Sequence, residues 1–324
     1  MNTPQNSARA EAGGLIVAAV TPWREDDVSI DIAASLELID FLCASKADGI
    51  ALLGSTGEFV HFSFEERTRL AALGVKRSRI PVLVNVTHST LAGTLRLAEE
   101  ATEAGAAGLL LMAPYYFRYS PGNLKEFFLR VAANSRLAPL YLYNIPFFTS
   151  LIPAEAAVEL LAGGRFAGIK DSSGEWDYFL QLNALRQKSA FRLLLGNDRL
   201  YTRGLECAAD GAISGVACAL PEMMRALAAA VQENDAAKKS LLQARLEEFL
   251  EWLNRLPVPV GVKAAVEARG LKAGPLAAPL GAAGDETLEQ YRGWLSEWIP
   301  RVLRESAGEI QADAAVNPEK NPKL

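Results

Sequence analysis

The chain has 324 residues, half of them hydrophobic, and a net charge of −5. That length holds one large domain or two ordinary ones with ample core; with no basic block, nucleic acid is not an expected partner. Its two histidines exclude a histidine-rich metal site, and its three scattered cysteines (Cys43, Cys207, Cys218) frame neither a disulfide scaffold nor a zinc site, which fits a reducing cytoplasm.

Residues 1–12 are polar and lack the apolar segment of a signal peptide, so they read as a disordered leader. From Leu15 one pattern repeats: a short apolar run ends in small or polar residues, and an amphipathic stretch follows. The runs are 15–21, 49–57, 81–88, 108–116, 139–146, 166–174, 191–198 and 211–220. Each has the length and continuous apolarity of a strand buried on both faces. The stretches between them carry helix signals. Ser63 and Glu66 make a capping box for a helix through Lys76. Ser89 or Thr90 caps the next, and Gly105 ends it. Ser120 and Pro121 give a cap followed by a proline at the first helical position. Pro153 opens another helix, closed by Gly163 and Gly164.

Strand–helix units of this kind, eight in about 200 residues, predict a closed parallel (β/α)8 barrel over 13–220. Counting strands does not show closure, so an open doubly wound sheet is the competing arrangement. No Gly-x-Gly-x-x-Gly or Walker motif follows a strand, which leaves nucleotide binding without support. Residues 221–306 read as helices that complete and extend the barrel, with a last helix near 286–304. Residues 307–324 read as a solvated tail. No apolar run is long enough to span a bilayer.

In such a barrel the chemistry collects at the C-terminal ends of the strands. The sixth run, Phe166-Ala-Gly-Ile-Lys170-Asp-Ser-Ser-Gly174, climbs to a lysine and then breaks. An ammonium among apolar groups loses hydration, which favours the free amine that attacks a ketone and forms a Schiff base. A snorkelling lysine at a strand end reads the same way when taken alone. The second run ends in Gly54-Ser55-Thr56-Gly57-Glu58, a turn whose amides and hydroxyls can grip a carboxylate. The fifth ends in Tyr143-Asn144-Ile145-Pro146, where a polarised tyrosine can relay a proton. The fourth ends in Pro114-Tyr115-Tyr116, the seventh in Gly196-Asn197-Asp198 and the eighth at Ile213-Ser214-Gly215. His88 reads as a polar rim residue.

These motifs, together with the late Pro257-Val-Pro-Val-Gly-Val-Lys263 segment, resemble the dihydrodipicolinate synthase / N-acetylneuraminate lyase superfamily, in order from about Gly14 to about Ala282. The resemblance implies that Lys170 forms a Schiff base with pyruvate or another 2-oxo acid. It implies that Tyr143 relays protons and that Gly54, Ser55 and Thr56 hold the substrate carboxylate, Ser55 also linking Tyr143 to solvent. Tyr116 would reach across a dimer interface, and the carbonyl of Ile213 would face the lysine. No metal or organic cofactor is implied, because the iminium is the electron sink. Homotetramers or homodimers are expected. In dihydrodipicolinate synthases an arginine two residues beyond the proline of the Tyr-Asn-x-Pro motif holds a substrate carboxylate; here that place is Phe148, and a phenyl ring cannot replace a bidentate cation. Sialic acid lyases show a histidine where Asn144 stands.

The expected function is therefore a Schiff-base lyase or aldolase of 2-keto-3-deoxy sugar acids or 4-hydroxy-2-oxo acids. Phe147 and Phe148 suggest an apolar wall, which admits an aromatic aldehyde. The alternatives are dihydrodipicolinate synthase, especially if Arg118 or another cation enters from a loop, and a dehydratase on the same Schiff base. From a different class comes a silent barrel that binds a 2-oxo acid; such a barrel would be expected to have lost Lys170 or Tyr143.

Overall fold

The computed structural model describes residues 13–25, 29–134 and 136–309. Eight strands pair in parallel and in chain order: β1 (Gly14–Ala18), β2 (Gly49–Leu52), β3 (Val82–Asn85), β4 (Gly108–Met112), β5 (Leu140–Asn144), β6 (Gly168–Asp171), β7 (Arg192–Leu195) and β8 (Gly211–Ser214). β8 returns to β1 and closes the barrel, with Gly14 opposite Gly211. The seam needs that glycine: Gly211 sits at φ +148°, and a Cβ on it would stand 2.0 Å from the Gly14 carbonyl oxygen. The open sheet is thereby ruled out. Each strand is shorter than the run that announced it, because ladder pairing stops where the run breaks into glycine, hydroxyl and proline. Those breaks are the loops of the C-terminal face.

Seven helices alternate with the strands: α1 (Ile32–Ala44), α2 (Phe64–Arg77), α3 (Leu91–Glu103), α4 (Pro121–Ala132), α5 (Ala154–Ala162), α6 (Trp176–Leu185) and α7 (Tyr201–Glu206). The capping box of Ser63 and Glu66 is formed in full, Thr90 rather than Ser89 caps α3, and Ser120 caps α4. α8 (Pro221–Gln232) completes the barrel, and α9 (Ala236–Leu253), α10 (Val260–Ala268) and α11 (Ala282–Ala307) extend it. The helical stretch after residue 220 thus divides in two at Asp235, whose carboxylate caps α9 by accepting from the Lys238 N–H at 3.0 Å. The last helix is longer than expected at both ends.

α9 and α11 are joined by an aromatic stack in which Trp294 meets Trp298 at 4.5 Å and Trp298 meets Phe249 at 5.7 Å. Such pairs contribute beyond their apolar area, and this one fixes α9, which lays Leu250 and Leu253 over the barrel mouth. The expected leader lies outside the described residues, as does the expected tail from residue 310. Among the described residues no helix is long and apolar enough to cross a membrane.

Candidate active site

Pairing of β5 with β6 sets Tyr143 directly opposite Lys170 and Asn144 opposite Asp171. Side chains alternate along a strand, so the two pairs face opposite ways. Asn144 Nδ2 donates to Asp171 Oδ1 at 2.8 Å, and Asp171 Oδ2 accepts from the Ser173 hydroxyl at 2.8 Å. Burial pushes the Asp171 carboxyl up, against these hydrogen bonds. The pair locks both strand ends and leaves Lys170 and Tyr143 to share the other face.

Lys170 is 4% exposed and Tyr143 1%. The Lys170 Nζ lies 4.1 Å from the centroid of the Tyr143 ring, and the Tyr143 hydroxyl meets Ser55 Oγ at 2.9 Å. Gly196, at the end of β7, lets the lysine through: a Cβ there would stand 2.8 Å from Lys170 Cε and 2.0 Å from Ser172 Oγ. Ser172 Oγ is itself buried without a hydrogen-bond partner among the described residues.

The turn that carries Ser55 and Thr56 is strained at both ends. Leu53 and Glu58 adopt φ of +59° and +53°, which costs a non-glycine residue about 1–3 kcal/mol each and persists only where the surroundings enforce it. Thr21 Oγ1 donates to the Gly57 carbonyl at 2.7 Å. The Glu58 carboxylate, buried, accepts from the Trp23 indole at 3.3 Å and pairs with Lys263 of α10 at 2.6 Å. An ion pair between the second loop and the C-terminal helices therefore holds the turn.

The mouth of the barrel is a cavity of about 800 Å³. Its lining includes the polar side chains of Ser55, Thr56, Tyr143, Lys170, Ser172 and Asp198, together with Ile213. Asp198 Oδ2 accepts from the Val216 N–H at 3.3 Å; its burial raises the carboxyl, while its bonds to Ser214 and Val216 and the charge of Lys170 work the other way. The same cavity is also lined by the apolar side chains of Phe147, Phe148, Leu250, Leu253, Val258 and Val262, and by Arg199 and Asn254. The Ile145 carbonyl accepts from the N–H groups of Phe148 (3.1 Å) and Thr149 (3.2 Å), a turn that throws both phenyl rings outward.

Residues 11–297 match the model of the Dihydrodipicolinate synthetase family. The chain belongs to the dihydrodipicolinate synthetase family. It is a Schiff-base-forming lyase acting on a 2-oxo acid. It is 30% identical over 285 residues to the 4-hydroxy-tetrahydrodipicolinate synthase of Methanococcoides burtonii, covering 88% of this chain and 97% of that protein. To the enzyme of the same name from an Azoarcus species it is 35% identical over 270 residues, 82% of this chain and 91% of that one. A family member from a prophage of Escherichia coli K12, solved in complex with pyruvate, superposes with a TM-score of 0.79 at 27% identity, covering 89% of this chain and 98% of that one.

Several of the sequence-identified residues of this family member gather at one place: Lys170, Tyr143, Ser55, Thr56, Ile213 and Phe148 all line the cavity. Gly54 belongs to the turn but not to the lining. Tyr116, 87% exposed and at φ +81°, lines instead an adjoining hollow of about 330 Å³ that shares Ser55, Phe148 and Val258 with the main cavity. Arg118 is not the missing cation, since its guanidinium donates to the Thr149 carbonyl and it lies off the lining. His88 is apart from the cavity, its Nδ1 accepting from the Thr90 N–H at 3.1 Å. Asp198 stood in the ring of strand ends without a role, and Arg199 and the wall from α9 and α10 were missed. For Arg199 a signal existed, because it directly follows Asp198 at the end of the seventh run. For the helical wall none did.

Proposed function

We propose that Lys170 forms the Schiff base with pyruvate and that the enzyme cleaves or joins pyruvate aldols, the class that includes 2-keto-3-deoxy sugar acids and 4-hydroxy-2-oxo acids. The observation that carries this reading is the buried Lys170 amine packed against the Tyr143 ring, whose hydroxyl meets Ser55 at 2.9 Å. In the cleavage direction the Lys170 amine adds to the C2 ketone of the aldol, and loss of water gives the iminium. A base takes the proton of the 4-hydroxyl, the C3–C4 bond breaks, and its electron pair flows into the iminium to give the enamine. The aldehyde leaves. Protonation at C3 and hydrolysis then release pyruvate and the free lysine. Tyr143 is the group placed to relay these protons, with Ser55 as its partner. The Gly54–Ser55–Thr56 turn holds the carboxylate, and the Ile213 carbonyl faces the lysine.

The names of the similar proteins favour a second reading, condensation of pyruvate with aspartate semialdehyde. It requires a cation for that substrate's carboxylate, and with Phe148 at the arginine's place Arg199 is the one left on the lining. We also propose that the protein is a cytoplasmic homodimer or homotetramer. The exposed aromatic patch of Tyr116, Phe117, Phe147 and Phe148 beside the mouth supports assembly.

The test is borohydride reduction in the presence of pyruvate, followed by peptide mapping, beside a coupled assay for pyruvate release. The adduct is expected on Lys170 and absent from Lys170→Ala, which should not turn over. Tyr143→Phe should still be trapped but turn over about a hundredfold more slowly. Unchanged turnover in Lys170→Ala would sink the proposal.

A further inference from the structure

The turn that carries Ser55 and Thr56 begins where a ladder stops. β2 and β3 pair as far as Leu52 opposite Val84. The next residue, Leu53, lies outside the ladder at φ +59°, a conformation that leucine keeps only where its surroundings enforce it. Its carbonyl is buried, and a buried carbonyl needs a donor. The Asn85 side chain, at the end of β3, supplies one: Nδ2 donates to the Leu53 carbonyl at 2.8 Å.

Asn85 is itself held from several directions. Its Oδ1 accepts from the Thr87 hydroxyl at 2.7 Å and from the Thr87 N–H at 3.3 Å. The Thr87 hydroxyl accepts in turn from the Met112 N–H of β4 at 2.8 Å. From α2, Arg67 Nη2 donates to the Asn85 and Thr87 carbonyls at 3.3 and 2.8 Å. Asn85, Thr87 and Arg67 are all buried. Buried hydrogen bonds linked in this way stiffen the residues they join. Leu53 is therefore pinned to β3, β4 and α2, three regular elements, and not by its own loop.

Two residues beyond Leu53, Ser55 Oγ meets the Tyr143 hydroxyl at 2.9 Å. Between them Gly54 stands in open space, with nothing within 4 Å of where a Cβ would lie. The direction in which the chain leaves β2 is thus set at Leu53. The far end of the turn is fixed separately, by the Glu58–Lys263 pair. Resting on the reading that Tyr143 and Ser55 relay the protons of the Schiff-base reaction, we propose that Asn85 is a positioning residue: by holding the Leu53 carbonyl it sets the Ser55 hydroxyl against Tyr143. Asn85 is not on the cavity lining, so it acts through Ser55.

The experiment follows deuterium uptake into the methyl group of pyruvate in D2O by NMR, at saturating pyruvate. The iminium on Lys170 loses a C3 proton to give the enamine, and a deuteron from solvent returns to C3, so pyruvate alone is required. Asn85→Ala is expected to slow exchange by about tenfold or more, as displacement of a reacting group does. Asn85→Asp keeps the volume and the acceptor for Thr87 but removes the donor; it should be slowed alike, and it carries the test if the alanine variant does not fold. Ser55→Ala removes the hydroxyl itself and should be slowed at least as much. The double variant Asn85→Ala, Ser55→Ala is expected to match Ser55→Ala within about threefold, whereas a residue that only supports the fold would multiply the two losses. Multiplied losses would overturn the proposal, as would exchange within about threefold of the parent in the folded Asn85 variants. Borohydride trapping separates this proposal from the reading beneath it. If the parent traps pyruvate on Lys170 and the Asn85 variants exchange normally, the proposal fails and the Schiff-base reading stands. If the parent does not trap pyruvate, both fall.

Discussion

Lys263→Met tests whether the barrel mouth is built from both ends of the chain. Lys263 and Glu58 are 1% and 6% exposed, and their charged atoms lie 2.6 Å apart. At an effective dielectric of about 20 the gross attraction at that distance is about 6 kcal/mol, and desolvating each ion takes back several. Burial is the larger influence on Lys263 and pulls its ammonium below the ordinary lysine value, with Glu58 opposing. The net worth of the pair is therefore small, but the cost of halving it is not. Methionine keeps the stem and removes the ammonium, leaving the Glu58 carboxylate with the Trp23 indole as its remaining side-chain donor at 3.3 Å. An uncompensated buried charge costs about 3–5 kcal/mol, a large share of the roughly 5–15 kcal/mol that holds an ordinary domain. Urea unfolding followed by tryptophan fluorescence at pH 7 reads this directly. The Glu58→Gln, Lys263→Met double variant keeps an acceptor for Trp23 and removes both charges, and most of the loss should return. Because Glu58 ends the strained turn of Ser55 and Thr56, the single variant should also raise KM for pyruvate several-fold, at temperatures where it is folded. A single variant within about 1 kcal/mol of the parent, or a double variant worse than the single, would refute the reasoning.

Two further predictions rest on the cavity floor. Gly196→Ala puts a methyl 2.0 Å from Ser172 Oγ and 2.8 Å from Lys170 Cε; borohydride trapping of pyruvate should slow by about a hundredfold, the order expected when a reacting group is displaced by about 1 Å, and a rate within threefold of the parent would show that the lysine reaches its place by another route. Asp198, whose carboxyl burial raises, gives a stability contribution that is full below the unfolded aspartate value of about 3.9 and fades as pH rises through the raised folded value. The parent should thus gain on Asp198→Asn as the pH falls from 8 towards 4, measured by urea unfolding; a gap that is flat or widens with rising pH would contradict the assignment.

The strands were legible because a strand buried on both faces leaves a continuous apolar run, and β2 through β8 each sit inside one. Closure was not legible, since it rests on the contact of Gly14 with Gly211, two small residues at opposite ends of the pattern. The polar half of the site was legible for a related reason: a barrel gathers the ends of its strands, so Ser55, Tyr143 and Lys170 could be placed together from the points where the runs break. The apolar half was hidden. Leu250, Leu253 and Val262 look like any core positions of a helix, and only the packing of α9 and α10 over the mouth turns them into cavity wall.

The two lysines buried below the mouth show what a sequence cannot distinguish. Gly168-Ile-Lys170 and Gly261-Val-Lys263 read alike, a small residue and a β-branched one leading to an ammonium. Lys263 meets a carboxylate at 2.6 Å and the Pro275 carbonyl at 3.3 Å, so its protons are engaged and its work is to hold a turn. Lys170 meets the face of a tyrosine, and among the described residues no carboxylate lies within ion-pair distance of it. An ammonium tied into a salt bridge is held in place by its partner; Lys170, without one, is left to meet whatever enters the cavity. The division of labour between the two is set by what the fold places at each Nζ, which is why strand register, Tyr143 opposite Lys170, carries more of the chemistry than the motif in which the lysine stands.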